Sequence, residues 1–375
     1  MVLHRLIPGA KARSSTSDPD APVVIRFAAL GDVVLLTVLL DALCQRYGRP
    51  VHVLGSGPWT SVLLEGHPAV GELRLLTSRR SPYWLTPSQQ SAVAWLRQHR
   101  GPVYLCDPDE HAARFLQRAG VPEGRVVRAW RHWPGDAIHW ADWWLQIAAL
   151  DAPAVPGPAA PIAAPITVGI TVPITVPAQP RLQAPVAWHE DTRAWLQAQG
   201  LAGHPLVLVQ PGHKKTHKRG RLATGGHDKH WPAERWAEVV RGITAGLPGA
   251  AVLVCGSPRE AGLAQAIVDA AGSPPTGTRV VNAAALDLNL PRLVGVAALA
   301  HSMVSVDTGP AHVAAAMDCP LVVLYGQFGW RRWLPRAPRA TVIPLGPQLP
   351  TPGAKVADLS AAQVLAAWQQ LAPRP

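Results

Sequence analysis

No run of about 18 uncharged apolar residues in this chain of 375 residues reads as a membrane-spanning helix. Residues 1–20 lack the apolar stretch of a secretory signal. They carry His4, Arg5, Lys11 and Arg13, turn polar by Ser14, and read as a disordered cytoplasmic tail. Cysteine is scarce: Cys44, Cys106, Cys255 and Cys319 are scattered without Cys-x-x-Cys spacing, each in or beside an apolar run. Buried free thiols in a reducing cytoplasm are therefore expected, not disulfides or a zinc site. The first strand-to-helix turn is not Gly-x-Gly-x-x-Gly, and no Asp-x-Asp or His-rich pair makes a persuasive divalent-metal site. Motifs that read nucleic acid through a groove or by base stacking are also missing, and nucleic acid is not expected as a partner.

What is present is apolar and basic. Hydrophobic residues make up 48% of the chain and charged residues 16%, a globular balance. The length exceeds what one hydrophobic core supports, which favours two domains. Lysine and arginine outnumber aspartate and glutamate by 35 − 24 = 11, a surplus suited to nucleotide phosphates or acidic lipid headgroups.

The β-branched run Val23 to Phe27 reads as a strand, Ala28 to Asp32 as a tight turn, and Val33 to Tyr47 as a buried helix. Val51 to Leu54 then resumes as a strand, opening a parallel α/β sheet in residues 21–150. Residues 151–185 are dense in Pro, Ala and Val, with Ile-Thr-Val repeated at 166–168, 170–172 and 174–176, and read as an extended linker. A second strand and helix alternation fills 186–355. It has strands at Leu206 to Gln210, Ala251 to Cys255, Arg279 to Val281, Met303 to Val306 and Leu321 to Tyr325. In 356–375, Ser360 and Gln363 have capping-box spacing ahead of a terminal helix. The predicted architecture is two Rossmann-like, doubly wound parallel sheets facing a cleft, with ligands at the carboxyl ends of the strands.

Three places along the chain can carry chemistry. Asp32 stands at the first strand-to-helix turn, either as an N-cap or as a general base in the cleft, with His139 and Asp107 as other base candidates. The loop Gly212 to Trp231 gathers His213, Lys214, Lys215, Lys218, Arg219, Arg221 and Lys229 where an α/β domain receives phosphate, although a solvated basic loop would look the same. Ser305 to His312 closes a strand and opens a helix with Pro310 suited to the first helical position. There Asp307 is a cap or a site residue, and His312 a core histidine or a ligand. Trp133, Trp140, Trp143 and Trp144 form a cluster that suits core packing, sugar stacking or a membrane interface.

Ala28-Ala29-Leu30-Gly31-Asp32-Val33, Asp228-Lys229-His230-Trp231-Pro232 and Val306-Asp307-Thr308-Gly309-Pro310-Ala311-His312 resemble the three signatures of glycosyltransferase family 9, in order and spacing across roughly 21–345. The resemblance implies a GT-B fold and a heptosyltransferase-like inverting transfer. In it Asp32 would be the base, Lys229 and Thr224 phosphate contacts, Asp307, Thr308 and Gly309 the donor-holding loop, and His312 a residue near the donor; Glu260 is a looser match for a ribose contact. It further implies ADP-heptose as co-substrate without a metal cofactor, and a lipopolysaccharide-core or other cell-envelope glycolipid as acceptor. A cytoplasmic protein with possible peripheral contact at the inner membrane would follow. A protein or secondary-metabolite acceptor, or a non-catalytic nucleotide-sugar-binding protein, stays open. The chain departs from the family in its long basic loop before Lys229 and in Gly326-Gln327-Phe328, where Gly-Pro-Thr is frequent.

Overall fold

The computed structural model describes residues 18–108, 110–135, 137–152, 175–213, 217–218, 221–222, 227–372 and 374. Most of the 151–185 linker, Thr224 and part of the basic loop, including Lys214, Lys215 and Arg219, therefore lie outside the described residues.

The first half alternates strands β1 (Val23–Ile25), β2 (Val51–Ser56), β3 (Val70–Leu76), β4 (Val103–Leu105) and β5 (Val126–Arg128) with helices α1 (Leu30–Tyr47), α2 (Pro58–Leu64), α3 (Pro87–Gln98), α4 (Glu110–Ala119) and α5 (Trp140–Ala149). The strands form a parallel sheet in the order β3-β2-β1-β4-β5. The β1 strand is wholly buried, as expected for a strand covered by helices on both faces. In α1 the apolar residues from Val33 to Leu43 are buried nearly all round, because the helix packs on its own sheet and on the other half of the chain.

Helix α6 (Val186–Ala198) leads into the second half. Its strands are β6 (Leu206–Gln210), a short antiparallel hairpin β7 (His217–Lys218) and β8 (Arg221–Leu222), β9 (Ala251–Val254), β10 (Arg279–Asn282), β11 (Ser302–Val306), β12 (Leu321–Leu324) and β13 (Val342–Leu345). Its further helices are α7 (Ala233–Gly246), α8 (Ala261–Ala271), α9 (Leu290–Leu299), α10 (Gly309–Ala316) and α11 (Ala361–Gln369). The parallel sheet runs β10-β9-β6-β11-β12-β13. In each sheet the chain returns to the middle strand's other flank, so the order reverses between β1 and β4 and between β6 and β11. A crevice opens at the carboxyl ends of those pairs.

Two expectations shift. The first helix begins at Leu30, not Val33, which makes Ala29 the N-cap and puts Asp32 at the third helical position. Helix α10 begins at Gly309 with Thr308 as N-cap, so Pro310 is the second helical residue and not the first. The start of α1 comes three residues, nearly one helical turn, before the apolar pattern indicates, and that of α10 one residue earlier, because each tight turn closes sooner than residue types alone specify. The terminal capping box forms as expected: Gln363 N donates to Ser360 Oγ at 3.2 Å, and Ser360 N to Gln363 Oε1 at 2.8 Å. Among the described residues no helix is long and apolar enough to cross a membrane, and all four cysteines are free.

One apolar core runs between the halves. Leu36, Leu40 and Leu43 of α1 share a cluster with Leu293 and Val294 of α9 and with Val313 and Ala316 of α10. At the rim, Arg336 donates two hydrogen bonds to Asp142, both 2.7 Å. The tryptophan cluster belongs to this core. Trp143 and Trp144 stack at 4.4 Å and are completely buried, while Trp130, Trp133 and Trp140 pack around them edge-on. Trp143→Ala should therefore cost about 3–5 kcal/mol of folding stability, the usual range for emptying an aromatic core site. Urea unfolding checks this, and a loss under about 1 kcal/mol would mean that the indole is not a core element.

Candidate functional site

The crevice is built from two helix starts that meet. Leu30 and Gly31 open α1 and Gly309 opens α10. A Cβ on Gly31 would lie 2.6 Å from His312 Cδ2, and one on Gly309 would collide with the side chain of Leu30. Only glycine lets the two turns approach so closely. Their first-turn N–H groups and helix dipoles therefore converge on one space, and the Thr308 hydroxyl makes no capping bond that would satisfy those of α10.

Asp32 sits at this junction with its side chain 38% exposed. One carboxylate oxygen accepts the Ala29 N–H at 3.3 Å, a capping-box bond, and the same oxygen lies 3.9 Å from Arg26 Nη2. That guanidinium, absent from the residues singled out in the sequence, is buried. It donates to the Cys106 carbonyl at 3.0 Å and lies over the rings of Trp140 and Trp130 at 5.3 and 5.9 Å. A cation held on indole faces so close to a carboxylate stabilises negative charge there without capturing it in a tight ion pair. The other base candidates are engaged: Asp107 accepts the Phe27 N–H at 2.7 Å, and both ring nitrogens of His139 are bonded.

On the other side of the crevice the Asp307 carboxylate does not cap a helix. Lys229 Nζ donates to its Oδ2 at 2.7 Å and to its backbone carbonyl at 2.8 Å. An ammonium has three N–H donors, so one remains for an incoming anion. The loop bearing Lys229 is itself clamped. The Asp228 carbonyl accepts from Val356 N at 2.7 Å and rests directly on Gly326, where any Cβ would collide with it. A 470 Å³ pocket opens alongside, lined by His227, Asp228, Gly326, Gln327, Phe328 and Lys355 among others.

His312 joins the two sides. It is buried against Gly31, and its Nδ1 has no hydrogen-bond partner. Burial pushes its pKa below the usual histidine value; Asp307 and Asp32 pull it up and Lys229 pushes it further down. A neutral imidazole with an unmet ring nitrogen faces the crevice chemistry without adding a charge.

Asp32, Lys229, Asp307, Thr308, Gly309 and His312 are thus brought to one crevice. Glu260 stands apart on the same edge, after β9. Its Oε2 accepts from Ser257 N and Oγ, both 2.8 Å, while Oε1 is buried without a partner and so keeps an acceptor for a ligand. Thr224 lies outside the described residues. No group of three or more His, Cys, Asp or Glu is placed to hold a metal ion among the described residues. What the sequence did not reveal, Arg26 and the Gly326 clamp, carries one faint signal each: a charge closing a buried strand, and a glycine ending β12.

Residues 176–357 match the model of glycosyltransferase family 9 (heptosyltransferase). Lipopolysaccharide heptosyltransferase 1 of Escherichia coli K12 is 33% identical over 134 residues, 34% of this chain. The match spans 39% of that relative's length. Among solved structures, a family 9 glycosyltransferase from Veillonella parvula superposes with a TM-score of 0.68 at 16% identity, covering 94% of this chain and 97% of the other. The E. coli ADP-heptose lipopolysaccharide heptosyltransferase II superposes at 0.65 with 20% identity, covering 93% and 97%. These two superpositions extend the shared fold over nearly the whole chain.

One property of the crevice rim is titratable. His139 caps α5 by accepting the Ala141 N–H on Nδ1 at 3.0 Å, and its Nε2 bonds the Leu334 carbonyl of the opposite half at 2.8 Å. Burial, with Arg336 nearby, pushes its pKa down to about 4. Its folded value lies below its unfolded value, so its contribution to stability is complete above about pH 6.5 and is lost as pH falls toward 4. The melting temperature should drop across that window. His139→Asn, a cap that does not titrate, should give a shallower slope whatever its absolute stability, and an unchanged slope would remove His139 from the linkage.

Proposed function

From the family 9 match over residues 176–357 and the geometry of the crevice, we propose that the chain is a family 9 glycosyltransferase that moves a heptose or related sugar, with inversion, from ADP-heptose to a cell-envelope acceptor such as the lipopolysaccharide core. The observation that carries this reading is the meeting of α1 and α10, which sets the Asp32 carboxylate against the Lys229–Asp307 pair across one crevice. The donor's identity is supported by the name of the E. coli transferase of the same fold. The acceptor class is supported by the lipopolysaccharide heptosyltransferase that matches part of the chain.

In this reading the acceptor hydroxyl oxygen attacks the anomeric carbon as Asp32 takes its proton, and the bond from that carbon to the diphosphate oxygen breaks in the same step. Negative charge grows on the departing ADP. The free N–H of Lys229 and the first-turn N–H groups around Gly309 take it up, fixed in place before the reaction. The partnerless Glu260 Oε1 would accept a ribose hydroxyl, and Thr224 would add a phosphate contact. Arg26 on its indole faces keeps the base side of the crevice electrostatically balanced. Because lysine and a helix start supply the positive charge, transfer would need no divalent cation.

A lipid-linked acceptor places the working protein at the cytoplasmic face of the inner membrane. The departure Gly326-Gln327-Phe328 lines the pocket beside Lys229, where a change of side chain would bear on which sugar is carried.

Asp32→Asn separates chemistry from structure. Asparagine can still accept the Ala29 N–H, so melting temperature and ADP binding should stay near parental values. Turnover of ADP-heptose with a lipopolysaccharide-core acceptor, assayed in EDTA, should fall by roughly 10² to 10⁴. A folded variant retaining more than about a tenth of parental turnover would exclude Asp32 as the base. A parent enzyme active only after Mg²⁺ is restored would overturn the metal-free mechanism.

A further inference from the structure

The loop after β3 ends in a short turn, Tyr83–Leu85, that displays two adjacent apolar side chains: Trp84 is 73% exposed and Leu85 61%. The other large hydrophobic residues exposed among the described ones, Val186, Leu299, Phe328 and Leu349, are far apart in sequence from one another. Trp84 and Leu85 are not outward because the loop is loose. Its backbone is laced to α3: Gln90 Nε2 donates to the carbonyls of Tyr83 and Trp84 at 3.2 and 3.1 Å, and the buried Gln89 does the same to Ser78 and Ser81 at 2.9 and 3.0 Å. Thr86 Oγ1 closes the turn onto the Pro82 carbonyl at 2.9 Å. A tryptophan carried on so fixed a backbone has only its own two side-chain torsions to order when it enters an interface, and its amphipathic ring suits the boundary between headgroups and acyl chains.

The charge around the turn is mainly positive. Arg80 precedes it and is exposed, and Arg118 of α4 lies 4.8 Å over the Tyr83 ring. Exposed Arg97 and Arg114 continue along α3 and α4. Over residues 72–131 there are ten arginines (74, 79, 80, 97, 100, 114, 118, 125, 128 and 131) and no lysine, against five acids at 72, 107, 109, 110 and 123. An apolar tip framed by arginine complements an anionic lipid surface, which gains from both terms at once. The position fits as well. The loop leaves the carboxyl end of β3, and at its near end Arg79 comes within 4.0 Å of Asp107 at the carboxyl end of β4, the edge that bears Asp32.

We propose that Trp84 and Leu85, framed by Arg80 and the arginines of α3 and α4, dock the first domain on an anionic bilayer with its crevice edge toward the headgroups. This deepens the reading of a lipid-carried acceptor by naming the surface that meets the lipid, and it can fail or hold independently of catalysis.

Vesicle sedimentation tests it, with the full-length protein and liposomes of phosphatidylcholine with or without phosphatidylglycerol. The parent should partition onto the anionic vesicles only and be released by high salt. Trp84→Ala with Leu85→Ser should weaken partitioning at least about tenfold, and Arg80→Ala about fivefold, with melting temperatures unchanged because these side chains are exposed. On a water-soluble, delipidated acceptor the Trp84/Leu85 variant should turn over as the parent does. If the parent transfers nothing, the function reading fails while the vesicle result stands. Three outcomes overturn the docking proposal: no anionic-vesicle binding by the parent, equal binding by the variant, or a parent dimer in sedimentation equilibrium that the variant abolishes, which would assign the tip to a second copy.

Discussion

The contact between Gly31 and His312 is the constraint on which the rest of the crevice depends. Two helix starts from different sheets can share one space only if one of them carries no side chain at the point of approach, and Gly31 meets that condition against an imidazole ring. Gly309 meets it again against Leu30. The apolar seam of α1 with α9 and α10 then holds the approach in register from behind. Asp32, two residues along from Leu30 on the same first turn, is placed by this contact rather than by its own modest hydrogen bond.

Electrostatics follows from that geometry. Two helix starts aimed at one space create a positive region, and the protein answers it with two carboxylates of different standing. Asp307 is tied to Lys229 by a bond and a carbonyl contact, so the lysine is held ready but incompletely satisfied. Asp32 has a long contact with Arg26 and one backbone N–H, and stays partly open to solvent. His312, buried between them with a lowered pKa, separates the two without adding charge. A protonated ring there would compete with Lys229 for the same anion.

Much of this was legible in the sequence. Strand, tight turn and buried helix at 23–47, and the run from Ser305 to His312, marked both sides of the crevice, because a parallel sheet covered on both faces writes its strands as apolar runs ended by glycine. The family resemblance groups Asp32, Lys229 and His312 in one site, a grouping that no local pattern could establish, and the structure places all three at one crevice. The helix starts lie earlier than the residue pattern indicates, at Leu30 and Gly309, since capping geometry depends on a turn that residue types alone do not fix. Arg26 was missed because its role comes from Trp130 and Trp140, more than a hundred residues away. Glu260 looked like a solvated glutamate or a ribose contact; one of its oxygens caps a turn and the other is buried and unmet, a distinction made only by three-dimensional placement.

Close approach of the two helix starts holds the Asp32 carboxylate against the Lys229–Asp307 pair, and Gly31→Ala tests most directly whether the proposed transfer depends on it. Gly31 does not have positive φ, so alanine is tolerated by the backbone, and its Cβ acts only by pressing on His312. In the folded variant, ADP binding, which relies on Lys229 and α10, should change by less than about twofold. Turnover should fall by roughly 10² for a displacement near 1 Å between base and donor. Parental turnover in a folded Gly31→Ala protein would contradict the account, because the contact would then position nothing that the reaction needs.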